Sequence, residues 1–301
     1  MTEPPQPEQI GPLQAERHRL RTADDVPLVV TRIPPEQDAH ATPVVLIYGT
    51  YSQRNFWVSP KGVGLAPCLA GRGFDTWVPD LRGHGLSPKT ERFGEWTAED
   101  HMREDLPAVQ ALIRKVRGGP AFWIGHSAGG LYILGAIAAG WLEPDLRGAV
   151  VLGAQIARGD RILKLPPAVW LMRLMMRIAG HFPAPRLGMG NEVEPPGEML
   201  EYVRWKGLRG RWETRDGRSY HQGMKNVTAP VLAFGAAADT NDPPEGCRLM
   251  FEECASDDKR FVLLSQADGF GIDYGHVEMV ISKQAQAEVW PLIAEWLEER
   301  R

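Results

Sequence analysis

The pentapeptide GHSAG at residues 125–129 places a serine among small residues, directly after the apolar run AFWI and directly before the apolar run that begins AGGLYI. A serine at a sharp turn between a strand and a helix presents its hydroxyl as a nucleophile, and small neighbours let strand and helix approach closely. The helix N-terminus also directs backbone N–H groups towards an oxyanion. We therefore predict Ser127 as a nucleophile and the Ala128 N–H as an oxyanion donor. The alternative is a serine that only caps a helix.

A serine nucleophile needs a general base and an acidic group that orients the base. Of the eight histidines, only His276 follows the last strand-like run and precedes the final helical stretch. The acid then lies between Ser127 and His276 in the chain, at the end of a strand. Asp239 is closest to the end of the run VLAF and is our candidate. Asp242, three residues later in the same loop, is the alternative.

The loop after the run PVVLI is the expected source of a second oxyanion donor. Thr50 follows Gly49 there, and we predict its N–H as that donor. The N–H of Tyr51 is the alternative, because the sequence does not decide the register of the loop. Tyr51 and His126 are also candidate substrate contacts. A histidine beside glycine in a tight turn, such as His126 or His84, more often forms a local hydrogen bond.

Short apolar runs alternate with helical stretches along the chain. The predicted strands are residues 26–33, 43–48, 74–78, 121–124, 149–152, 231–234 and 261–264. The predicted helices are residues 64–70, 98–116, 128–139, 245–253 and 285–299. This alternation predicts an α/β fold with a mostly parallel, doubly wound sheet, whose ligand site lies at the carboxyl ends of the strands.

Residues 154–228 contain no strand-like run, and we predict that they form a cap inserted into a core of residues 16–153 and 229–301. The segment holds six of the ten methionines and 13 Lys or Arg against 7 Asp or Glu. Within it, residues 166–182 are predicted as an amphipathic helix, whose apolar stripe is Trp170, Leu171, Leu174, Met175 and Ile178. The stripe packs on the core, lines an adaptable apolar ligand site, or does both. Trp170, Met175 and Met176 are candidate substrate contacts.

Composition excludes several classes of protein. A net charge of −4 gives no basic field for non-specific nucleic-acid binding, and the three cysteines lack the spacing of a zinc site or a disulfide framework. We expect no metal and no cofactor. Residues 1–15 are proline-rich, lack the features of a signal peptide and are predicted as a disordered tail, so we expect a cytoplasmic protein without a transmembrane segment. Whether it is a monomer or a homodimer stays open.

These motifs together resemble the α/β-hydrolase superfamily. Four motifs agree in order: the loop Tyr48-Gly49-Thr50, the turn DLRGHGLS at residues 80–87, the elbow at Ser127, and the loops of the acid and the histidine. The stretches GLAPCLAGRGFDTWVPDLRGHG and GHVEMVISKQAQAEVWPLIAEWL resemble the acid and gastric lipase branch and its bacterial relatives. The resemblance implies Ser127, Asp239 and His276 as a triad, Thr50 and Ala128 as oxyanion donors, and residues 154–228 as a lid. Tyr48 stands where the family usually has a histidine.

The expected function is hydrolysis of a carboxylic ester through an acyl-enzyme, by an esterase or lipase acting on a medium or large apolar ester. A serine at the elbow excludes the haloalkane dehalogenase and epoxide hydrolase chemistries, which need a carboxylate nucleophile in this superfamily. Thioesterase, C–C hydrolase and acyltransferase activities are alternatives, because they use the same acyl-transfer machinery. A non-catalytic binding module is the alternative from another class.

Overall fold

The structure, a computed structural model, describes residues 4–35, 41–143, 145–158 and 162–301. Its centre is a nine-stranded sheet. The strands are β1 (Gln6–Ile10), β2 (Leu13–Arg21), β3 (Pro27–Ile33), β4 (Pro43–Ile47), β5 (Asp75–Asp80), β6 (Phe122–His126), β7 (Gly148–Leu152), β8 (Val231–Ala236) and β9 (Lys259–Leu264). They are arranged in the order β1-β2-β3-β5-β4-β6-β7-β8-β9. The β1–β2, β2–β3 and β3–β5 pairs are antiparallel, and the other pairs are parallel. The predicted, mostly parallel α/β sheet is confirmed.

Helices connect and flank the strands. They are α1 (Leu65–Gly71), α2 (Ala98–Asp100), α3 (Leu106–Arg117), α4 (Ala128–Ala138), α5 (Pro166–Ala179), α6 (Pro196–Lys206), α7 (Tyr220–Gly223), α8 (Pro244–Glu252), α9 (Glu278–Ile281) and α10 (Lys283–Glu298), with a π-helical turn (His101–Asp105) between α2 and α3. Short 3₁₀ turns are Arg54–Phe56, Glu91–Glu95, Ala184–Leu187, Met224–Asn226 and Gln266–Asp268. Within the described ranges, no helix has the length and apolar character that crossing a membrane requires.

The central strands are buried on both faces of the sheet. Every residue of β4, β5, β6, β7 and β8 is buried, and β4, β7 and β8 are accordingly continuous apolar runs in the sequence. Because β4 to β9 are parallel, their carboxyl ends meet at one edge of the sheet. The loops after β4, β6, β8 and β9 hold Thr50, Ser127, Asp239 and His276 respectively, so the predicted site residues converge at that edge.

The predicted disordered tail at residues 1–15 is wrong for residues 6–15, and residues 1–3 lie outside the described part of the chain. Residues 6–10 form β1, which pairs with β2 from Gln6 opposite Arg17 to Ile10 opposite Leu13. The side chain of Glu8 lies 2.9 Å from Arg17 and 2.8 Å from Arg54, so ion pairs attach the first strand to the sheet. A mostly polar edge strand has few residues to bury, and its composition therefore resembles that of a solvated tail.

For most of the α5 stripe, the structure contradicts the alternative in which the stripe packs on the core. Trp170, Leu171 and Ile178 are 66%, 60% and 79% exposed, whereas Met172 and Met176, one helical turn apart, are buried. Apolar residues surround most of this helix, so their spacing alone does not decide which face packs. The helix lies between β7 and β8 in the chain and packs against α6.

Candidate active site

Ser127 occupies a strained turn between β6 and α4. Its backbone has φ 52° and ψ −121°, a conformation that is costly for any residue other than glycine. A hydrogen bond of 2.8 Å from the Ser127 N–H to the carbonyl of Leu152 ties the turn to β7. On the helix side, a Cβ at Gly129 would lie 2.3 Å from the carbonyl oxygen of Ile47. The helix can approach the sheet this closely only with glycine at position 129. These features are those of a nucleophile elbow.

His276 and Asp239 form a direct pair. The Nδ1 atom of His276 lies 2.7 Å from Asp239 Oδ2, and the Asp239 side chain is buried. The second oxygen of Asp239 accepts hydrogen bonds of 2.9 Å from the backbone N–H groups of Asn241 and Asp242. Asp239 is thus held in place and orients the imidazole, and no described residue forms a hydrogen bond with the Nε2 atom of His276.

Asp242 lies on the other side of the imidazole. The Ser127 hydroxyl donates to Asp242 Oδ2 at 3.4 Å, and His276 Nε2 lies 4.0 Å from the same oxygen. The serine and the histidine therefore face one site, although no direct hydrogen bond joins them among the described residues. Of the two candidate acids, Asp239 is the one at Nδ1, whereas Asp242 faces the hydroxyl of Ser127.

Two donors from the segment between β7 and β8 hold the Asp242 carboxylate. Gln155 Nε2 and Lys206 Nζ each lie 2.8 Å from Asp242 Oδ1. Burial alone would raise the pKa of Asp242, but the Lys206 ammonium and His276 outweigh it, and the pKa lies below its usual value. Asp242 is therefore an anion at neutral pH. Sequence reasoning missed both Gln155 and Lys206, because neither belongs to a recognisable motif.

His126 supports the histidine loop. Its Nε2 atom lies 2.8 Å from the carbonyl oxygen of His276 and must be the donor, since a carbonyl only accepts. Its ring stacks on Phe56 with centroids 4.7 Å apart. Burial and the neighbouring His276 lower the pKa of His126 to about 3, so the ring is neutral at physiological pH. The expectation of a local hydrogen bond for His126 is wrong, because its partner is 150 residues away in the chain.

The loop after β4 lies against Ser127. A Cβ at Gly49 would lie 2.8 Å from Ser127 Cβ. Among the described residues, no hydrogen bond occupies the N–H of Thr50, and the N–H of Ala128 is at the start of α4, where it has no partner within the helix. The N–H of Tyr51 donates to the carboxylate of Glu194. Tyr51 is therefore engaged elsewhere and is not a free oxyanion donor.

The candidate substrate contacts lie in different environments. Tyr51 packs against the segment between β7 and β8: its ring centroid is 5.6 Å from that of Phe182, and its hydroxyl donates to the sulfur of Met199 at 3.7 Å. On α5, Met176 is buried, Met175 is half-buried, and Trp170 faces solvent. Substrate contact by Tyr51, His126, Trp170, Met175 and Met176 stays a prediction.

A buried polar network joins the core to the segment between β7 and β8. His84 donates from Nδ1 to the carbonyl of Arg82 at 3.0 Å, and its Nε2 lies 2.8 Å from Glu194 Oε2. His101 lies between Asp105 and Glu198, with distances of 2.9 and 3.1 Å. The local bond expected of His84 is present, but its pairing with Glu194 was not foreseen.

The charges of this network shift its pKa values strongly. Burial lowers the pKa of His84, but the carboxylate of Glu194 raises it to about 9; His101 reaches about 10 because Glu198 and Asp105 outweigh burial in the same way. Burial raises the pKa of Glu198, but His101 and His84 lower it to about 2. Burial and the nearby Glu198 raise the pKa of Glu194. Both histidines are therefore cations at neutral pH.

Three members of the network have the donor types of a metal site. Ligand atoms of His84, Glu194 and Glu198 all lie within 4.8 Å of one another, and nitrogen and carboxylate oxygen donors suit zinc. Each already has hydrogen-bond partners: Glu194 binds His84 and the N–H of Tyr51, and Glu198 binds His101 and the hydroxyl of Tyr132. The donor atoms are thus satisfied by protein groups.

Two surface clefts lie away from Ser127. One, of about 470 Å³, is lined by residues that include Ala138, Thr214 and Arg218; another, of about 270 Å³, is lined by residues that include Arg158 and Phe261. Ser127 and His276 line neither cleft. The candidate site at the edge of the sheet is therefore identified from the contacts of its side chains and not from these clefts.

Comparison with known proteins finds a matching family model and several relatives in sequence. A family model described as "Serine aminopeptidase, S33" matches residues 61–203, a range that includes the elbow at Ser127. A tear acid lipase-like protein of Mesocricetus auratus is 31% identical over 136 residues, which are 40% of this chain and 34% of that protein. Triacylglycerol lipase 2 of Arabidopsis thaliana is 29% identical over 155 residues, 46% of this chain and 37% of that one. The alignments thus span about a third of these relatives, and the resemblance to acid lipases is confirmed at low identity.

The likeness in structure extends over nearly the whole chain. The crystal structure of a Paleococcus ferrophilus monoacylglycerol lipase covers 91% of this chain and 99% of its own, with a TM-score of 0.63 and 21% sequence identity. At this identity the likeness is one of fold. The fold is that of the α/β-hydrolases, with helices around a mostly parallel sheet and a serine elbow at its carboxyl edge.

Proposed function

We propose that this chain, a member of the α/β-hydrolase superfamily, is a serine hydrolase that cleaves carboxylic esters through an acyl-enzyme intermediate. The observation that carries the proposal is the convergence of Ser127 Oγ and His276 Nε2 on one site, with Asp239 bonded to the opposite nitrogen of the imidazole. Similarity to lipases over a third of their length supports an ester as the substrate.

Each of these residues has a defined role in the proposed reaction. Ser127 Oγ attacks the ester carbonyl while His276 Nε2 takes its proton, and Asp239 holds the tautomer and stabilises the imidazolium. The N–H groups of Thr50 and Ala128 donate to the oxyanion, and each is worth about 3 kcal/mol in comparable sites. His276 then returns the proton to the leaving alcohol. Water attacks the acyl-enzyme by the same route in reverse.

Residues 154–228 act as a cap over this site in our proposal. Two contacts support it: Lys206 reaches the Asp242 carboxylate beside the nucleophile, and Glu194 binds the N–H of Tyr51, next to Thr50. The segment also supplies buried methionines, Met172, Met176 and Met199, whose flexible side chains adapt to apolar groups. A medium or large apolar acyl group is the substrate class that such a surface fits.

Hydrolysis of p-nitrophenyl esters from acetate to palmitate tests the proposal, with the wild-type protein beside Ser127→Ala. We expect the wild type to hydrolyse these esters fastest at an acyl chain longer than acetate. We expect kcat of the variant to be lower by about 10⁴-fold or more. A fluorophosphonate should label the wild type and not the variant, because labelling needs an activated serine. Equal activity in the two proteins, or an unlabelled wild type, would overturn the proposal.

A further inference from the structure

We propose that Asp242 positions the water that hydrolyses the acyl-enzyme. The inference rests on the proposed ester hydrolysis and adds a second carboxylate to it, with a role distinct from that of Asp239. Asp239 contacts the Nδ1 side of His276, whereas Asp242 Oδ2 lies 4.0 Å from Nε2 and 3.4 Å from Ser127 Oγ. Asp242 therefore faces the atoms that react.

Acylation changes the hydrogen bonds available to Asp242. In the free enzyme, the Ser127 hydroxyl donates to Asp242 Oδ2, while Gln155 and Lys206 donate to Oδ1. Once Ser127 Oγ carries the acyl group, it has no proton to donate. Oδ2 then loses its donor although the carboxylate is buried, and a buried acceptor without a donor is costly. Another donor is thus favoured at this oxygen in the acyl-enzyme.

A single water fits that requirement. Hydrogen bonds of about 2.8 Å to two atoms 4.0 Å apart subtend about 90° at the water oxygen, close to the angle between its two protons. One proton of this water points to His276 Nε2 and the other to Asp242 Oδ2. Because Oδ2 is 3.4 Å from Ser127 Oγ, which carries the acyl group, a water held at this oxygen is within reach of the acyl carbon.

The chemical step balances with these groups alone. The water oxygen bonds to the acyl carbon while His276 Nε2 takes one of its protons, and Asp242 accepts a hydrogen bond from the remaining O–H without becoming protonated. The bond from the acyl carbon to Ser127 Oγ then breaks, and His276 returns the proton to Oγ. The products are the carboxylic acid and the free enzyme. Lys206 keeps Asp242 anionic and fixed at Oδ1.

Asp242→Asn separates this role from a structural one. The amide oxygen can accept the bonds of Gln155 and Lys206, so the NH₂ group then faces Ser127 and cannot accept from water. In stopped-flow hydrolysis of p-nitrophenyl butyrate by this variant, we expect a burst of nitrophenolate equal in amount to the enzyme. The steady-state turnover that follows should be about 10- to 100-fold slower than that of the wild type. The burst rate and the rate of fluorophosphonate labelling should stay within about threefold of wild type.

A second variant keeps the test decisive if Asp242→Asn does not fold by circular dichroism. Lys206→Met removes the cation that holds Asp242 and should slow deacylation about 3- to 10-fold while leaving the burst rate near wild type. Lys225→Met, in the 3₁₀ turn Met224–Asn226, is the matched control and should behave as wild type. The inference is overturned if deacylation is unchanged in the folded variant, or if acylation and deacylation fall together. A wild type that neither releases nitrophenolate nor reacts with the fluorophosphonate would instead refute the proposed function itself.

Discussion

His84 Nε2 lies 2.8 Å from Glu194 Oε2, and this buried contact joins the loop after β5 to the segment between β7 and β8. The other oxygen of Glu194 accepts from the N–H of Tyr51, the residue after Thr50. One carboxylate therefore connects the proposed cap, the core and the loop of the proposed oxyanion donor. Truncating one member of such a buried pair leaves the other charge uncompensated and is strongly destabilising.

Raising the pH should destabilise the fold through this network. The pKa values of His84 and His101 are about 9 and about 10 in the folded protein, above the value of about 6.5 for an unfolded histidine. Between about pH 6.5 and pH 10, the folded state therefore binds more protons than the unfolded state. The contribution of these two protonated histidines to the free energy of unfolding is complete below about pH 6.5 and is lost as the pH rises through 9 to 10. We expect Tm, measured by scanning fluorimetry from pH 6 to 10.5, to fall over that range.

His84→Gln tests the source of this effect, because it removes one of the two titrating groups. The decline of Tm with pH should be shallower in the variant than in the wild type. His221→Gln is the matched control, since His221 is exposed and pairs with Glu253 at the surface. An equal decline in His84→Gln and the wild type would show that another group is responsible.

Asp239→Asn should lower kcat/KM for p-nitrophenyl butyrate by about 10³- to 10⁴-fold, because the amide cannot hold the imidazole in the reactive tautomer. The loss should appear in the acylation burst as well as in turnover. Asp257→Asn makes the same chemical change at an exposed position and should leave the rate unaltered. Retention of the burst in Asp239→Asn, with its loss in Asp242→Asn, would reverse the assignment of the two acids.

His126→Phe should lower kcat/KM by about 10-fold, because it keeps a ring against Phe56 but removes the donor to the His276 carbonyl. With a pKa of about 3, His126 stays neutral from pH 5 to 9, so the ratio of wild-type to variant rates should be constant over that range. Esterase assays at several pH values measure the ratio, with His221→Phe as the control. A ratio that varies with pH would contradict a neutral supporting role.

Gly49→Ala should lower kcat about 100-fold or more and should also lower Tm, because the added methyl group overpacks a buried site. The new Cβ would lie 2.8 Å from Ser127 Cβ, so the loop must retreat and carry the Thr50 N–H away from the oxyanion. Gly71→Ala is the control, because nothing lies within 4 Å of a Cβ there. Kinetics and thermal unfolding of the two variants check the prediction; normal activity in Gly49→Ala would remove Thr50 from the proposed reaction.

The central strands and the elbow could be predicted because their signals are local. Strands such as β4 and β7 are buried on both faces and therefore appear as unbroken apolar runs. The first two strands gave no such signal, because polar residues occupy much of the sheet edge. On α5, apolar residues on most sides left the buried face undetermined, and the structure buries Met172 and Met176 rather than Trp170.

By itself, the sequence determined the mostly parallel sheet and the serine turn and predicted the candidate residues Ser127, Asp239 and His276, since each depends on residue types within a few positions. Only the tertiary structure decided which side chains meet. It pairs His84 with Glu194, Ser127 with Asp242 and His126 with the His276 carbonyl across 110, 115 and 150 residues. Such contacts depend on how strands and inserted helices approach one another in space, and no periodicity along the chain encodes that approach.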